Sequence, residues 1–118
     1  MSEVLVQLRF TALFKRRFKG LAKKYRQIQT DIEPVLVQIS QGDFIGDQVK
    51  GTQYTVYKVR TRNSDIQSGK SGGYRLIYQV ESSTDAVLHL IYAKSEQSNV
   101  SAEEIQAAIE QFQAESDE

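Results

Sequence analysis

The chain has no cysteine, one histidine and one proline among its 118 residues. Without a thiol there is neither a disulfide framework nor a thiolate metal site. A single histidine, His89, leaves too little for a zinc centre or a serine-type triad, so neither a metal nor a cofactor is expected. Long apolar runs are also missing, and the opening Met-Ser-Glu-Val carries no basic lead. The expectation is a cytoplasmic protein with no signal peptide and no membrane partner. What remains is ordinary for a globular protein, 40% hydrophobic and 25% charged, and of a size for one domain over residues 1–114 with a frayed acidic tail at 115–118.

Net charge is zero, but the charges are zoned along the chain. Residues 9–26 hold eight bases, Arg9, Lys15, Arg16, Arg17, Lys19, Lys23, Lys24 and Arg26, and no acid. Between Lys50 and Arg75 there are six more against the single Asp65. The last eighteen residues carry six acids and no base. The first hundred residues therefore form a basic body masked by an acidic end, a distribution that favours encounter with a polyanion. Solvated helix faces are the plainer alternative for the first cluster.

The hydrophobic pattern predicts the order β-α-α-β-β-β-α. Val4, Val6 and Leu8 open a strand that sits between neighbours. Thr11 caps a helix whose apolar residues Leu13, Phe14, Phe18, Leu21 and Tyr25 recur at helical spacing, which leaves the lysines and arginines outside. Thr30 or Asp31 caps a second helix with Pro34 in its first turn. Strands follow at Tyr54 to Arg62, Tyr74 to Val80 and Ala86 to Lys94, joined as a meander. Ser101 and Glu104 form a capping box for a last helix striped by Ile105, Ala108, Ile109 and Phe112. The fold class is α+β, a small antiparallel sheet with an N-terminal helical hairpin and a C-terminal helix, the helices packed on one face.

Lys70 to Tyr78 reads Lys-Ser-Gly-Gly-Tyr-Arg-Leu-Ile-Tyr, a paired-glycine turn that delivers Arg75 early onto a strand. A guanidinium anchored there suits a phosphate, being planar and permanently charged; an ion pair with a neighbouring carboxylate is the alternative use. Lys58 and Arg60 share one face of the preceding strand. With Lys94 they can converge on Arg75 over the surface the helices leave open, and such a cluster calls for a polyphosphate such as RNA. Arg62, Lys70 and Tyr92 flank it as RNA contacts. Metal-free RNA cleavage needs a 2′-hydroxyl deprotonated, a pentavalent phosphate stabilised and the departing 5′-oxygen protonated. Glu96 and Tyr92 lie beside Lys94 as acid or base partners. His89 is flanked by Leu88, Leu90 and Ile91 and reads as a structural histidine. Tyr54, Tyr57, Tyr74 and Tyr78 are open to two readings, base stacking or strand packing.

The runs Val56-Tyr57-Lys58-Val59-Arg60, Gly69-Lys70-Ser71-Gly72-Gly73-Tyr74-Arg75-Leu76-Ile77-Tyr78 and Ile91-Tyr92-Ala93-Lys94-Ser95-Glu96 resemble the RelE/ParE superfamily of bacterial toxins, nearest its RelE and HigB branches, over about residues 10 to 105. The resemblance implies the toxin of a type II toxin–antitoxin pair, an endoribonuclease that cuts messenger RNA in the ribosomal A site. Arg75 then matches the phosphate-stabilising arginine, Lys58 and Arg60 the basic pair, and Lys94 and Glu96 the Lys-x-Glu segment. Lys15, Arg16, Lys19, Lys23 and Lys24 would contact ribosomal RNA. The chain departs from RelE itself at Ser95, where RelE has an arginine. The implied partners are a cognate antitoxin and the ribosome. A gyrase inhibitor of the ParE kind, or a decayed toxin that only binds its antitoxin, are the other functions this superfamily implies.

Overall fold

A computed structural model describes residues 5–66, 73–97 and 99–116. The elements are β1 (Gln7–Phe10), α1 (Ala12–Lys24), α2 (Ile28–Ser40), β2 (Asp47–Gln48), β3 (Val56–Thr61), β4 (Tyr74–Ser82), β5 (Asp85–Ala93) and α3 (Ala102–Ser116). They form a five-stranded sheet in the order β1-β5-β4-β3-β2. The α+β class and the β3-β4-β5 meander are as the sequence pattern predicts. No described helix is long and apolar enough to cross a membrane.

Local chemistry sets most boundaries. The Thr11 hydroxyl accepts the Phe14 amide at 3.0 Å and so caps α1, whose Phe14 and Leu21 are buried while its lysines and arginines are exposed. Ser101 caps α3, taking the Glu104 amide at 3.1 Å, and the helix runs on to Ser116, past the start of the expected tail. The start of α2 differs from expectation. It begins at Ile28, where Asp65 from the β3–β4 connection accepts the Gln27 amide at 2.8 Å and supplies the cap that Gln27 itself lacks. Asp31 lies within the first turn and reaches across to the Ser64 amide and hydroxyl at 2.8 and 2.9 Å. Pro34 therefore falls inside the helix, where its missing N–H forfeits one backbone bond.

Two further expectations are corrected. β1 does not sit between neighbours; it is an edge strand, parallel to β5 over Gln7–Phe10, with alternating exposure. Nor do the helices share one face. α1 and α2 cover the face of Leu76, Tyr78, Leu88 and Ile91, whereas α3 lays Ile105 and Ile109 on the opposite face against Val56, Ile77 and Leu90. Tyr74, Leu76, Ile77 and Tyr78 are fully buried in consequence. Because β5 is largely apolar on both sides and β4 adds Ile77 to the second face, that face uncovered would expose apolar surface, and α3 is the element that covers it. The helix crosses the sheet from Gln106, bonded to the Gln53 amide at 3.2 Å, to Phe112, whose ring meets His89 edge-on at 5.5 Å.

His89 sits in a β-bulge. Ile77 pairs with Leu90 and Tyr78 with Leu88, so His89 is the extra residue. Its Nε2 contacts Gln79 Oε1 at 2.9 Å, and its Nδ1 is buried with no partner. The ring is enclosed, 1% exposed and closed over by Phe112, in keeping with the structural reading. Burial, aided by the positive charge of Arg9, lowers its pKa from 6.5 to about 4. Arg9 is itself paired with Glu81. The unfolded chain therefore binds more protons than the folded one between these values, and stability present above pH 6.5 is lost as pH falls toward 4. The loss expected from this group is on the order of 3 kcal/mol. Urea unfolding from pH 7.5 to 4 should show it, and His89→Gln should flatten that part of the profile relative to the parent.

Candidate nucleic-acid interface

The strand register decides which cations meet. Arg60 pairs with Arg75, and Arg75 with Tyr92, so these three form one cross-strand row. Lys58 pairs with Ile77, two residues along β3, and shares their face, the one α3 partly covers. Residues directly opposite on antiparallel strands have Cβ atoms roughly 5 Å apart, and like charges there destabilise the pair. Arg60 is exposed and Arg75 half-buried. Among the described residues neither is paired with a carboxylate; Arg75 makes only a long 3.4 Å contact from its guanidinium to the Tyr74 carbonyl. The ion-pair alternative for Arg75 thus finds no partner there.

The chain leaving β5 narrows the open face. On its way to α3 it passes over the sheet toward β3, where Asn99 accepts a hydrogen bond from Lys58 Nζ at 3.3 Å and Val100 is buried with Ile77 and Leu90. Lys58 is therefore half-covered, and the end row of Arg60 and Arg75 is the part left open. Lys94 follows β5 directly and is fixed by its backbone, its amide bonded to the Gly73 carbonyl at 2.9 Å. That places it at the same end of the sheet as Arg75.

Two of the expected site residues are held elsewhere. Glu96 turns toward α1, where its Oε2 accepts from Tyr25 at 2.8 Å and from Lys24 at 3.0 Å. These bonds, that from Tyr25 foremost, hold its carboxyl below the usual range, and the same pairing raises Lys24. Such a carboxylate is a poor proton acceptor, and it is aimed away from the arginine row. Tyr92 is 4% exposed and packs with Val100 and Ile105, so it offers no ring face to a base. Burial raises its pKa and the Arg75 guanidinium opposes that rise, which puts the two groups close in space. Of the other tyrosines, Tyr74 and Tyr78 are fully buried, and Tyr57 stacks on Tyr78 at 5.6 Å. Strand packing is their role.

The helix cations divide by position. The Tyr25 ring meets Tyr74 at 5.9 Å, so the C-terminal end of α1 lies at the arginine end of the sheet with Lys23 and Lys24. Lys15 and Arg16 are about 13 Å further back along the axis, on the first turns. Lys15 borders an apolar groove with Phe18 and Leu36, and Arg16 a cleft against α3. Lys19 falls between these ends and is exposed. Arg62 is exposed just past β3, and Lys70 lies outside the described residues. Asn99 was not singled out from the sequence, because nothing in its spacing shows that the chain after β5 returns across the sheet. No protein-family model matches the sequence, and no curated protein matches it.

Gly73 determines how tightly this end closes. Its φ is not positive, so a left-handed conformation is not what it supplies. A Cβ placed there would fall inside contact distance of the Thr61 carbonyl oxygen on β3. Gly73→Ala should therefore push β3 from β4 at the arginine row and cost about 1–3 kcal/mol, measurable as a lower urea midpoint. An unchanged midpoint would show that the approach is not needed.

Proposed function

We propose that this chain is a toxin of the RelE/HigB kind, a metal-independent endoribonuclease that acts on messenger RNA at the ribosomal A site in the cytoplasm and is held inactive by a cognate antitoxin. The observation that carries the reading is Arg60 set opposite Arg75 with no described carboxylate between them. Two cations in that position repel unless an anion joins them. A phosphodiester is such an anion, and its negative charge increases in the pentavalent state of cleavage.

In this reading the 2′-oxygen loses its proton and attacks phosphorus, the bond from phosphorus to the 5′-oxygen breaks, and that oxygen takes up a proton. Arg75 and Arg60 bind the non-bridging oxygens as charge builds, and Lys58 joins them when its bond to Asn99 is exchanged for one to phosphate. Glu96 is assigned no acid or base role, since its bonds to Tyr25 and Lys24 hold its carboxyl below the usual range and turn it toward α1. Lys94 lies at the same end of the sheet. The cations at the C-terminal end of α1 would meet ribosomal RNA beside the cleaved strand.

Induced expression in a bacterial host should stop growth and produce messages cut within codons. Arg75→Ala should restore growth and lower the cleavage rate on the order of 10²-fold, as loss of one transition-state donor does. Growth arrest with intact messages and lost supercoiling would replace the nuclease reading with gyrase inhibition. A folded chain without toxicity would leave only antitoxin binding.

A further inference from the structure

One side of β1 is unused. The amides of Gln7 and Thr11 bond to the Thr84 and Leu88 carbonyls on the β5 side at 2.8 and 3.2 Å, so the alternation of a strand turns the backbone groups of Leu8 and Phe10 outward, where no described strand meets them. Their side chains pack toward the helical hairpin and line an apolar groove of about 470 Å³ with Phe14 and Phe18 of α1 and Leu36 and Val37 of α2. The most exposed large apolar side chains among the described residues gather here too. Val37 is 44% exposed on the groove wall, and Leu5, 56% exposed, gives its amide to Ser40, which lines the same groove. An open strand edge beside an apolar groove is a surface that another chain can cover.

We propose that the chain covering it is a second copy of this one, joined through β1 about a twofold axis at Arg9, so that two sheets become one. Backbone hydrogen bonding selects both the partner and the register. In an antiparallel pairing about Arg9, Leu8 faces the other copy's Phe10 and each such pair exchanges both of its bonds, so the outward groups satisfy one another. A shifted register would call on Val6, whose amide is already given to Ser40, or on Ala12, which belongs to α1. Charge agrees with this partner. The groove carries Lys15 on its α1 wall and Glu33 on its α2 wall, neither in a described ion pair. A partner of one sign would meet its like on one wall, whereas a copy brings both signs and a net charge of zero. On the other face the two Arg9 side chains would stand opposite each other, but each is already paired with its own Glu81. The joint lies toward the other end of β5 from Tyr92 and leaves the arginine row open, so it is independent of the ribonuclease reading.

Sedimentation equilibrium of the full chain over a range of concentrations should show monomer and dimer in exchange. Leu8→Pro removes an outward N–H while leaving the bonds to β5 in place, and Val37→Glu puts a charge on the exposed groove wall. Each should raise the dimer dissociation constant at least about tenfold with an unchanged far-ultraviolet circular dichroism spectrum. Because the chain has no cysteine, Arg9→Cys places its only thiol at the twofold axis, where opposed Cα atoms lie about 4.5 Å apart, within reach of a disulfide. Mild oxidation should cross-link it into a dimer well ahead of Gln7→Cys, which this register sets apart from its counterpart. A chain that stays monomeric at every concentration overturns the proposal. So does a dimer that neither Leu8→Pro nor Val37→Glu weakens, or one that Gln7→Cys cross-links as fast as Arg9→Cys, since it would use another surface or another register.

Discussion

Two guanidinium groups set across from each other on adjacent strands push the strands apart, and what resists that push here is the burial of β4 on both of its faces. Tyr74, Leu76 and Tyr78 are enclosed under the helical hairpin and Ile77 under α3. Slipping β4 by one residue would exchange these faces and drive Arg75 into the hairpin side of the core. The register that sets Arg75 against Arg60 is thus the same one that keeps the core closed, and the repulsion is tolerated because relieving it costs more. An anion in the row lowers that repulsion, so binding there is favoured by what folding left unresolved.

How much of this was legible in the sequence follows from where each determinant lies. The last three strands, the Thr11 cap and the Ser101 box are encoded within a few neighbouring residues, by alternation or by one hydroxyl at fixed spacing, and they stand as read. The start of α2 is not local: its cap is Asp65, thirty-eight positions away. β1 was misplaced because the alternation of a half-buried strand does not say whether one neighbour or two will flank it. The side taken by α3 was legible in principle. Ala86 to Ala93 is buried at every position, and an apolar run of that length, interrupted only by His89, signals a strand covered on both faces.

For the site, the sequence brought out the cations on β3 and β4, because period two assigns Lys58 and Arg60 to one face without further information. It misassigned Glu96 and Tyr92. Their distance along the chain from Lys94 is short, but the turn after Ala93, where the Glu96 and Gln97 amides both bond back to the Ala93 carbonyl at 2.9 and 3.0 Å, swings the carboxylate to α1. Tyr92 was expected to contact RNA and to partner Lys94, and the burial of Val100 and Ile105 above it closes that surface. The turn carries Glu96 to the hairpin side, and the return of the chain across the sheet between β5 and α3 covers Tyr92.

That return also explains why the glycine turn matters beyond its flexibility. At the end of the sheet three strands must meet closely: Gly73 lies against the Thr61 carbonyl on one side, and its own carbonyl takes the Lys94 amide on the other. A side chain at this position would wedge β3 outward, and Arg60 would leave the line formed by Arg75 and Tyr92. The close approach thus aligns the arginines, and the same strand alignment brings Tyr92 beside Arg75. The C-terminal end of α1 reaches this end of the sheet from the hairpin side, where the Tyr25 ring meets Tyr74, so the hairpin and the strands are fixed to each other at the place where the arginines are aligned.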